Sequence, residues 1–412
     1  MNKNIWIINQ YAGSPDYGMN YRSYYLGKEL VNRGYNVTLF TASYTHQRRK
    51  LPTINHNFTV EDIGGIRYIW VKVPTYPSSK SLGRFWSMLI FFVRLFFYKS
   101  KKINYPKEII ISSLSIFPVL NAYVWSKKFK INFIFEVRDL WPQSLIDLAG
   151  VSKYHPLVLF MRWFENLGYK KAKYTVSLLP LAKNHMLQKG LKIDKFIYNP
   201  NGISLDEMDD IKFLNKASKN KLPKDKFIVG YTGAIGIANA IESFVYAGEY
   251  LKEYDDIRLV LVGDGKNKES IKKKAKQKGL RNIVFIDSIP KDEIQSMLQM
   301  FEVCFIGWHD KKIYEFGISA NKLFDYMYSG KPILHAFSGN GDLVKMANCG
   351  LTVKAQNPTA IAEGIIKMYN LSKDRRDKLG ENGRKYVLEY HTYKTITDSY
   401  ENLFEHYKNI KK

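Results

Sequence analysis

The sequence is short of cysteine, short of carboxylates relative to its lysines and arginines, and without a long unbroken apolar run. Only Cys304 and Cys349 occur in 412 residues. Both sit among apolar neighbours with no CxxC or Cys/His spacing around them, which argues against a disulfide scaffold and a zinc site. Asp and Glu number 38 against 63 Lys and Arg, for a net charge of +25. Such a surface attracts nucleic acid, anionic lipid or phosphorylated small molecules. The cations are spread along the chain, however, and no nucleic-acid-binding motif gathers them, so nucleic acid is not the expected partner. The opening residues, MNKNIWIINQY, are basic and then briefly apolar. That run is too short for a signal peptide and has no small-residue cleavage site, so it reads as a first strand in a cytoplasmic protein.

What is present is an alternation of apolar strands and amphipathic helices, occurring twice. Asn4 to Asn9 predicts a buried strand, a loop with Gly13, Pro15 and Gly18 follows, Tyr21 to Arg33 has helical periodicity, and Val37 to Thr41 is strand-like. This is a βαβ unit, although its glycine spacing is wrong for GxGxxG. The loop reads either as a tight turn into a helix or as a segment approaching a substrate. Further strands are expected at 67–73, 108–111, 133–137, 173–178 and 196–199, and residues 206–226 read as a polar joint. A second series then begins at Phe227, with glycine turns at Gly233 to Gly236 and Gly263 to Gly265. The fold class expected is α/β, with two doubly wound domains facing each other across a cleft lined by strand carboxyl ends. Residues 1–204 form the first domain and 205–385 the second. A C-terminal helix over 386–412 is expected to pack back on the first.

Two stretches stand apart. Gly83 to Lys102, GRFWSMLIFFVRLFFYKSKK, is rich in Phe and Trp and flanked by Lys80 and Arg84 on one side and Lys99, Lys101 and Lys102 on the other. Its apolar part, broken by Arg94, falls short of the ~18–20 residues a spanning helix needs. An interfacial helix on an anionic membrane surface and a helix packed in the core both fit this pattern. The other stretch is Tyr314 to Pro332, YEFGISANKLFDYMYSGKP. Ser319 suits a helix N-cap and Gly330 the residue past its end. The free amides of Ala320, Asn321 and Lys322, with the Lys322 charge, form a site for phosphate. Asp325, one turn later, offers a carboxylate to a hydroxyl-bearing ring. Between these stretches, Arg138-Asp139-Leu140-Trp141-Pro142 ends an apolar strand, where Asp139 either enters a cleft, caps a helix or pairs with Arg138.

These motifs carry a resemblance over nearly the whole chain. YAGSPDYGMNYRSYYLGKELVNRGYNVTLFTA at the start, RDLWP at 138–142, YNPNGIS at 198–204, GYTGAIG at 230–236, LVGDG at 261–265 and SANKLFDYMYSGKPIL at 319–334 together resemble the GT-B retaining glycosyltransferases of family four. More narrowly, they resemble bacterial transferases that build O-antigen or capsule repeat units with amino sugars. The resemblance implies a metal-independent, retaining enzyme with no cofactor. It would move a hexosyl or N-acetylhexosaminyl unit from a UDP-sugar to a polyprenyl-diphosphate-linked saccharide, at the inner face of the cell membrane. Asp325 matches the second acid of the family's Glu-x7-Glu motif, which holds the ribose, whereas the first falls on Gly317. Ile237 to Ile241 lacks the basic pair that many relatives carry. Lys322 is therefore expected to carry the diphosphate, with Lys266 a further candidate, and Asp139 to contact a sugar. Gly233, Gly236, Gly263, Gly265, Gly317, Ile318, Ser319, Ala320 and Asn321 complete the implied donor site, and Gly13, Tyr17, Gly18, Asn20 and Arg138 the acceptor side. A nucleotide-sugar 2-epimerase of similar fold and a non-catalytic basic binding protein are the alternatives.

Overall fold

The computed structural model describes residues 3–18, 20–78, 81–236 and 239–409. Lys80, Ile237 and Ala238, which entered the reading above, lie outside the described residues. The chain divides into two compact units, residues 1–201 with 393–412, and residues 202–392.

The first unit is built on an eight-stranded sheet in the order β3-β4-β2-β1-β5-β6-β7-β8. Its strands are β1 (Asn4–Ile8), β2 (Asn36–Ala42), β3 (Phe58–Ile63), β4 (Ile66–Val71), β5 (Glu108–Ser112), β6 (Asn132–Val137), β7 (Tyr174–Ser177) and β8 (Phe196–Tyr198). All pairings are parallel except the hairpin β3–β4. Its helices are α1 (Arg22–Asn32), α2 (Leu82–Phe96), α3 (Val119–Phe129), α4 (Gln143–Ala149), α5 (Pro156–Lys171) and α6 (Lys183–Gln188). The central strands are buried on both faces and read as continuous apolar runs, as helix-covered parallel strands must. Two carboxylates break that rule, Glu108 in β5 and Glu136 in β6. Glu136 is almost wholly buried. Its Oε2 accepts hydrogen bonds from Arg22 Nε (2.8 Å) and from the Tyr400 hydroxyl (2.5 Å). The other guanidinium nitrogens of Arg22 donate to the carbonyls of Pro200 and Asn199.

The second unit holds α7 (Leu205–Asp209), α8 (Lys216–Asn220), β9 (Phe227–Thr232), α9 (Ile241–Ala247), β10 (Ile257–Val262), α10 (Lys268–Gln277), β11 (Ile283–Ile286), α11 (Ile294–Gln299), β12 (Val303–Gly307), α12 (Asn321–Tyr328), β13 (Ile333–Ala336), α13 (Leu343–Met346), β14 (Gly350–Val353), α14 (Pro358–Asn370) and α15 (Lys373–Tyr390). Its six parallel strands run β11-β10-β9-β12-β13-β14. Counted within the unit this is the doubly wound order 3-2-1-4-5-6, whose direction reverses between β9 and β12. Both expected Rossmann-like domains are therefore present.

Several details depart from expectation. The C-terminal region is not one helix from 386 onward. It breaks at His391 and Thr392, where Ile203 N–H donates to the His391 carbonyl (2.8 Å). Before the break, α15 stays with the second unit, because Gly380 lies so close to the Gly330 carbonyl that a Cβ would collide with it. After the break, α16 (Tyr393–Asn409) joins the first unit, where Arg33 binds Asp398 at 2.7 Å and the Tyr393 ring meets that of Tyr25 at a tilt. The unit boundary falls at 201/202 rather than 204/205. Strands β3 and β14, both edge strands and only partly buried, gave too little apolar signal to be expected. The stretch 83–102 is helical only to Phe96; it buries Ser87, Met88, Phe91 and Leu95 and leaves its opposite face in solvent. Among the described residues no helix is long and apolar enough to cross a membrane.

Breaking a buried ion pair strands the surviving charge, at a cost of about 3–5 kcal/mol. Glu136→Gln is therefore expected to lower stability by that order in urea titration. Arg22→Met with Glu136→Leu is expected to be less destabilised than either single change. An unchanged midpoint for the single variant would contradict the assignment.

Candidate functional site

In the second unit the site builds up from the reversal point between β9 and β12. Strand β9 ends in Thr232-Gly233-Ala234-Ile235-Gly236. Gly233 has φ +133°, and a Cβ there would lie 2.7 Å from Lys322 Nζ. The missing side chain leaves the space that the lysine fills. Lys322 stands in the first turn of α12, donates to the Tyr231 hydroxyl at 2.6 Å and lies over that ring at 3.9 Å. Among the described residues no carboxylate forms an ion pair with it; Asp325 acts on it only at longer range. Burial pushes its ammonium down to about 7, with the Asp325 charge opposing. Asp325, on the same face, is pushed up to about 6, chiefly by burial, against the pull of Lys291 and Lys322.

Helix α12 starts one residue later than expected. Ala320, not Ser319, is its N-cap, in extended conformation and without a side-chain cap bond. The Leu323 amide is already bonded to the Ala320 carbonyl, which leaves those of Asn321 and Lys322 at the start of the helix. Ile318 is only 4% exposed and packs in the core, so its side chain offers nothing to a ligand. Gly317 has φ +87°, where a glutamate would be strained. The absence of the first motif acid is thus built into the backbone, and Glu315 sits exposed in the 3-10 turn Lys312–Phe316.

The glycines divide by role. Gly263 and Gly265 have left-handed φ and lie against the carbonyls of Gly233 and Ile235, where any Cβ would collide. They serve to lay one glycine turn on the other, with Ile235 N–H donating to the Asp264 carbonyl at 2.8 Å. Gly236 has open space around it. Lys266 is exposed, whereas Lys268 is buried and paired with Asp264 and Asp287.

The sequence reading missed two supports. Tyr231 orients Lys322, and Tyr326 accepts from the Thr232 amide at 2.8 Å, tying α12 to the end of β9. It also missed Trp308 just beyond β12. Its Nε1 donates to His335 Nε2 (2.9 Å), so His335 carries its proton on Nδ1, which faces Asp342 at 2.9 Å. Trp308 meets Tyr314 at a tilt, ring centroids 5.6 Å apart, and so braces the turn before Gly317. A lone His inside a short apolar strand gave no sign of this relay.

In the first unit, the loop after β1 is held shut by its own bonds. Gly13 N–H donates to the Asn20 carbonyl and its carbonyl accepts from Tyr68. Gly18 has φ +98°, with Arg49 packed against it, and Asn20, also left-handed, donates to Gln47. Tyr17 does not open toward a ligand: it is buried and its hydroxyl donates to Glu61 at 2.7 Å. Ser113, at the end of β5, accepts from the Arg138 amide (2.9 Å) and donates to the Asp139 carbonyl (3.2 Å), fixing the RDLWP turn. Asp139 reaches solvent within a dense surround that raises its carboxyl, while Arg138 and Arg84 pull it down. Arg138 Nη1 is buried with no hydrogen-bond partner among the described residues. Arg84, the first cation of α2, donates to the Tyr11 hydroxyl at 3.0 Å.

Among the described residues no three His, Cys, Asp or Glu side chains converge as a metal site. Residues 213–386 match the model of the group 1 glycosyl transferases, and residues 17–202 match the glycosyl transferase 4-like domain. The chain is a GT-B glycosyltransferase of family four. An uncharacterised glycosyltransferase of Methanocaldococcus jannaschii is 24% identical, over 84% of this chain and 86% of its own. WcaI of Escherichia coli, described as a putative colanic acid biosynthesis glycosyl transferase, is 22% identical over 69% and 74%. Among solved structures, sucrose-phosphate synthase from Thermosynechococcus elongatus superposes with a TM-score of 0.76 at 18% identity, covering 99% of this transferase and 100% of that chain. HepE of Anabaena, seen with UDP and glucose, superposes at 0.63 with 12% identity, covering 98% and 99%.

If Lys322 and Asp325 hold a nucleoside diphosphate by phosphate and ribose, the lysine must be charged and the aspartate ionised. As pH falls through about 6, Asp325 gains its proton; as pH rises through about 7, Lys322 loses its own. The affinity for UDP, measured by calorimetry from pH 5 to 9, is expected to peak between those values and to fall on both sides. A flat profile would contradict the site.

Proposed function

We propose that the enzyme moves a sugar, an N-acetylated amino sugar in our reading, from a UDP-sugar to a lipid-linked saccharide during surface polysaccharide assembly. The observation that carries this is Lys322: a largely buried ammonium without a paired carboxylate, at the reversal point of a doubly wound sheet, beside two free helix amides. A diphosphate supplies the missing negative charge. UDP as the nucleotude carrier is suggested by HepE, and polysaccharide assembly by WcaI. The epimerase reading is not favoured, since both halves of the chain match transferase models.

In this reading, Asp325 accepts from the ribose hydroxyls, and Lys322 with the Asn321 and Lys322 amides holds the diphosphate. Backbone groups of Gly317 to Ala320 contact the donor sugar in place of the missing glutamate. Asp139 and Arg138 contact the acceptor side, with the Gly13–Asn20 loop. As the bond from the anomeric carbon to the leaving oxygen breaks, negative charge grows on the diphosphate. Preorganised donors stabilise it more in the transition state than in the ground state. The acceptor hydroxyl attacks the oxocarbenium-like sugar on the same face, giving retention. Its proton passes to the leaving diphosphate, so neither a metal nor a protein base is required. The exposed face of α2 keeps the enzyme at an anionic membrane surface on the cytoplasmic side.

The test is a panel of UDP-sugars against a polyprenyl-diphosphate-linked sugar, with products read by mass and anomer by NMR. Lys322→Ala is expected to lower kcat by about 10²–10³-fold, the range for one lost oxyanion donor. Asp325→Ala is expected to act mainly through the donor KM. Near-normal turnover for both variants would overturn the proposed roles.

A further inference from the structure

One broad surface of the first unit is left unexplained by the chemistry above. Helices α2, α3 and α5 pack side by side on the sheet. Asn121 of α3 donates to the Phe92 carbonyl of α2 (3.1 Å), and Phe164 of α5 meets Phe92 (5.9 Å) and Phe117 (5.2 Å) edge-on. Those rings face inward. Outward, α2 presents Leu82, Trp86 and Val93, with Phe97 just beyond its end, one stripe at helical spacing. Helix α5 presents Leu159, Phe160 and Trp163 within about one turn, and Val124 of α3 is exposed as well. Trp86 is 57% exposed, Phe97 71% and Trp163 53%. A contiguous apolar surface of this kind marks an interaction site.

The charges around it identify the partner. From Leu82 to Lys107 the chain carries Arg84, Arg94, Lys99, Lys101, Lys102 and Lys107 and no Asp or Glu. Around α5 lie Lys153, Lys170 and Lys171, all exposed, and the helix's sole carboxylate, Glu165, is buried and bonded to Tyr169. A second copy of the chain, meeting this face through a two-fold axis, would set lysines against lysines. A lipid surface with anionic headgroups offers what the face lacks. It takes up apolar and aromatic side chains at shallow depth and neutralises the flanking cations.

We propose that α2, α3 and α5 form one membrane-docking face, in which Leu159, Phe160 and Trp163 of α5 enter the lipid interface alongside Trp86 and Phe97. This extends the single-helix docking proposed above and rests on that reading. Both helices then lie flat on the surface, which fixes the orientation of the unit against the membrane. One helix alone would leave it free to roll about that helix's axis.

The experiment is sedimentation of the full chain with vesicles of phosphatidylglycerol and phosphatidylcholine, or of phosphatidylcholine alone. Three proteins are compared: the natural chain, Leu159→Ser with Phe160→Ser and Trp163→Ser, and Trp86→Ser with Phe97→Ser. The natural chain is expected to partition onto the anionic vesicles only, and each variant to partition about tenfold less. Thermal melts and UDP binding, which do not involve these exposed residues, are expected to stay unchanged. An α5 variant that partitions like the natural chain would overturn the role of α5 while leaving docking by α2 intact. A natural chain that binds neither vesicle would overturn docking altogether. A dimer in size-exclusion chromatography that the α5 variant abolishes would mean that a second copy covers the face. Failure of the transferase reading shows separately, as a natural chain that consumes no UDP-sugar.

Discussion

The ion pair between Arg22 and Glu136 is the constraint around which the first unit is assembled. Neither charge reaches water, so each must be satisfied inside. Satisfying them draws together four parts of the chain distant in sequence: the start of α1, the end of β6, the carbonyls of Asn199 and Pro200, and Tyr400 of α16. The last two lie beside the points where the chain leaves the unit and where it returns. A buried pair of this kind is weak evidence for net stability, since apolar residues of equal volume fill such space as well. Its value here is specificity: α16 has one place where the Tyr400 hydroxyl meets a carboxylate.

Lys322 is the opposite case. It too has been taken largely out of water, but its neighbours are a neutral phenol and a glycine turn rather than a carboxylate. The cost shows as an ammonium held near 7 instead of its usual range. A group kept in that state is poised to gain by pairing, and an anion brought to it would restore its charge. Arg22 is saturated by carboxylate and carbonyls of the protein, whereas Lys322 has only the Tyr231 hydroxyl, which is why we propose it as the group that meets the ligand. Tyr231, Gly233 and the Thr232–Tyr326 bond exist in this arrangement to hold that lysine at the end of β9.

Much of this was legible in the sequence, for definite reasons. Parallel strands buried on both faces leave long apolar runs, and glycine turns at their ends are visible, so the two α/β series and the turns at Gly233 and Gly263 could be read directly. Lys322 and Asp325 could be placed because helical spacing is local. What depends on long-range packing could not. Gly263 and Gly265 must be glycine because another turn lies on them, a packing reason the local sequence does not show. Tyr17 looked available in a loop but is spent on Glu61, 44 residues away. The helix cap moved from Ser319 to Ala320, a one-residue shift that propensity alone does not fix. Glu136 was the overlooked signal, since a carboxylate inside FIFEV demands a buried cation, and Arg22, the first residue of α1, supplies it.

The central claim concerns one proton on one nitrogen. The direct measurement is an NMR titration of the Lys322 side chain in protein carrying ¹³C-labelled lysine, assigned by loss of its signal in Lys322→Arg, with and without UDP. The free protein is expected to titrate near 7, and bound UDP to raise that midpoint by about two units or more. A lysine that titrates near its ordinary value of about 10.4 in the free protein, unmoved by UDP, would contradict the reading of this site.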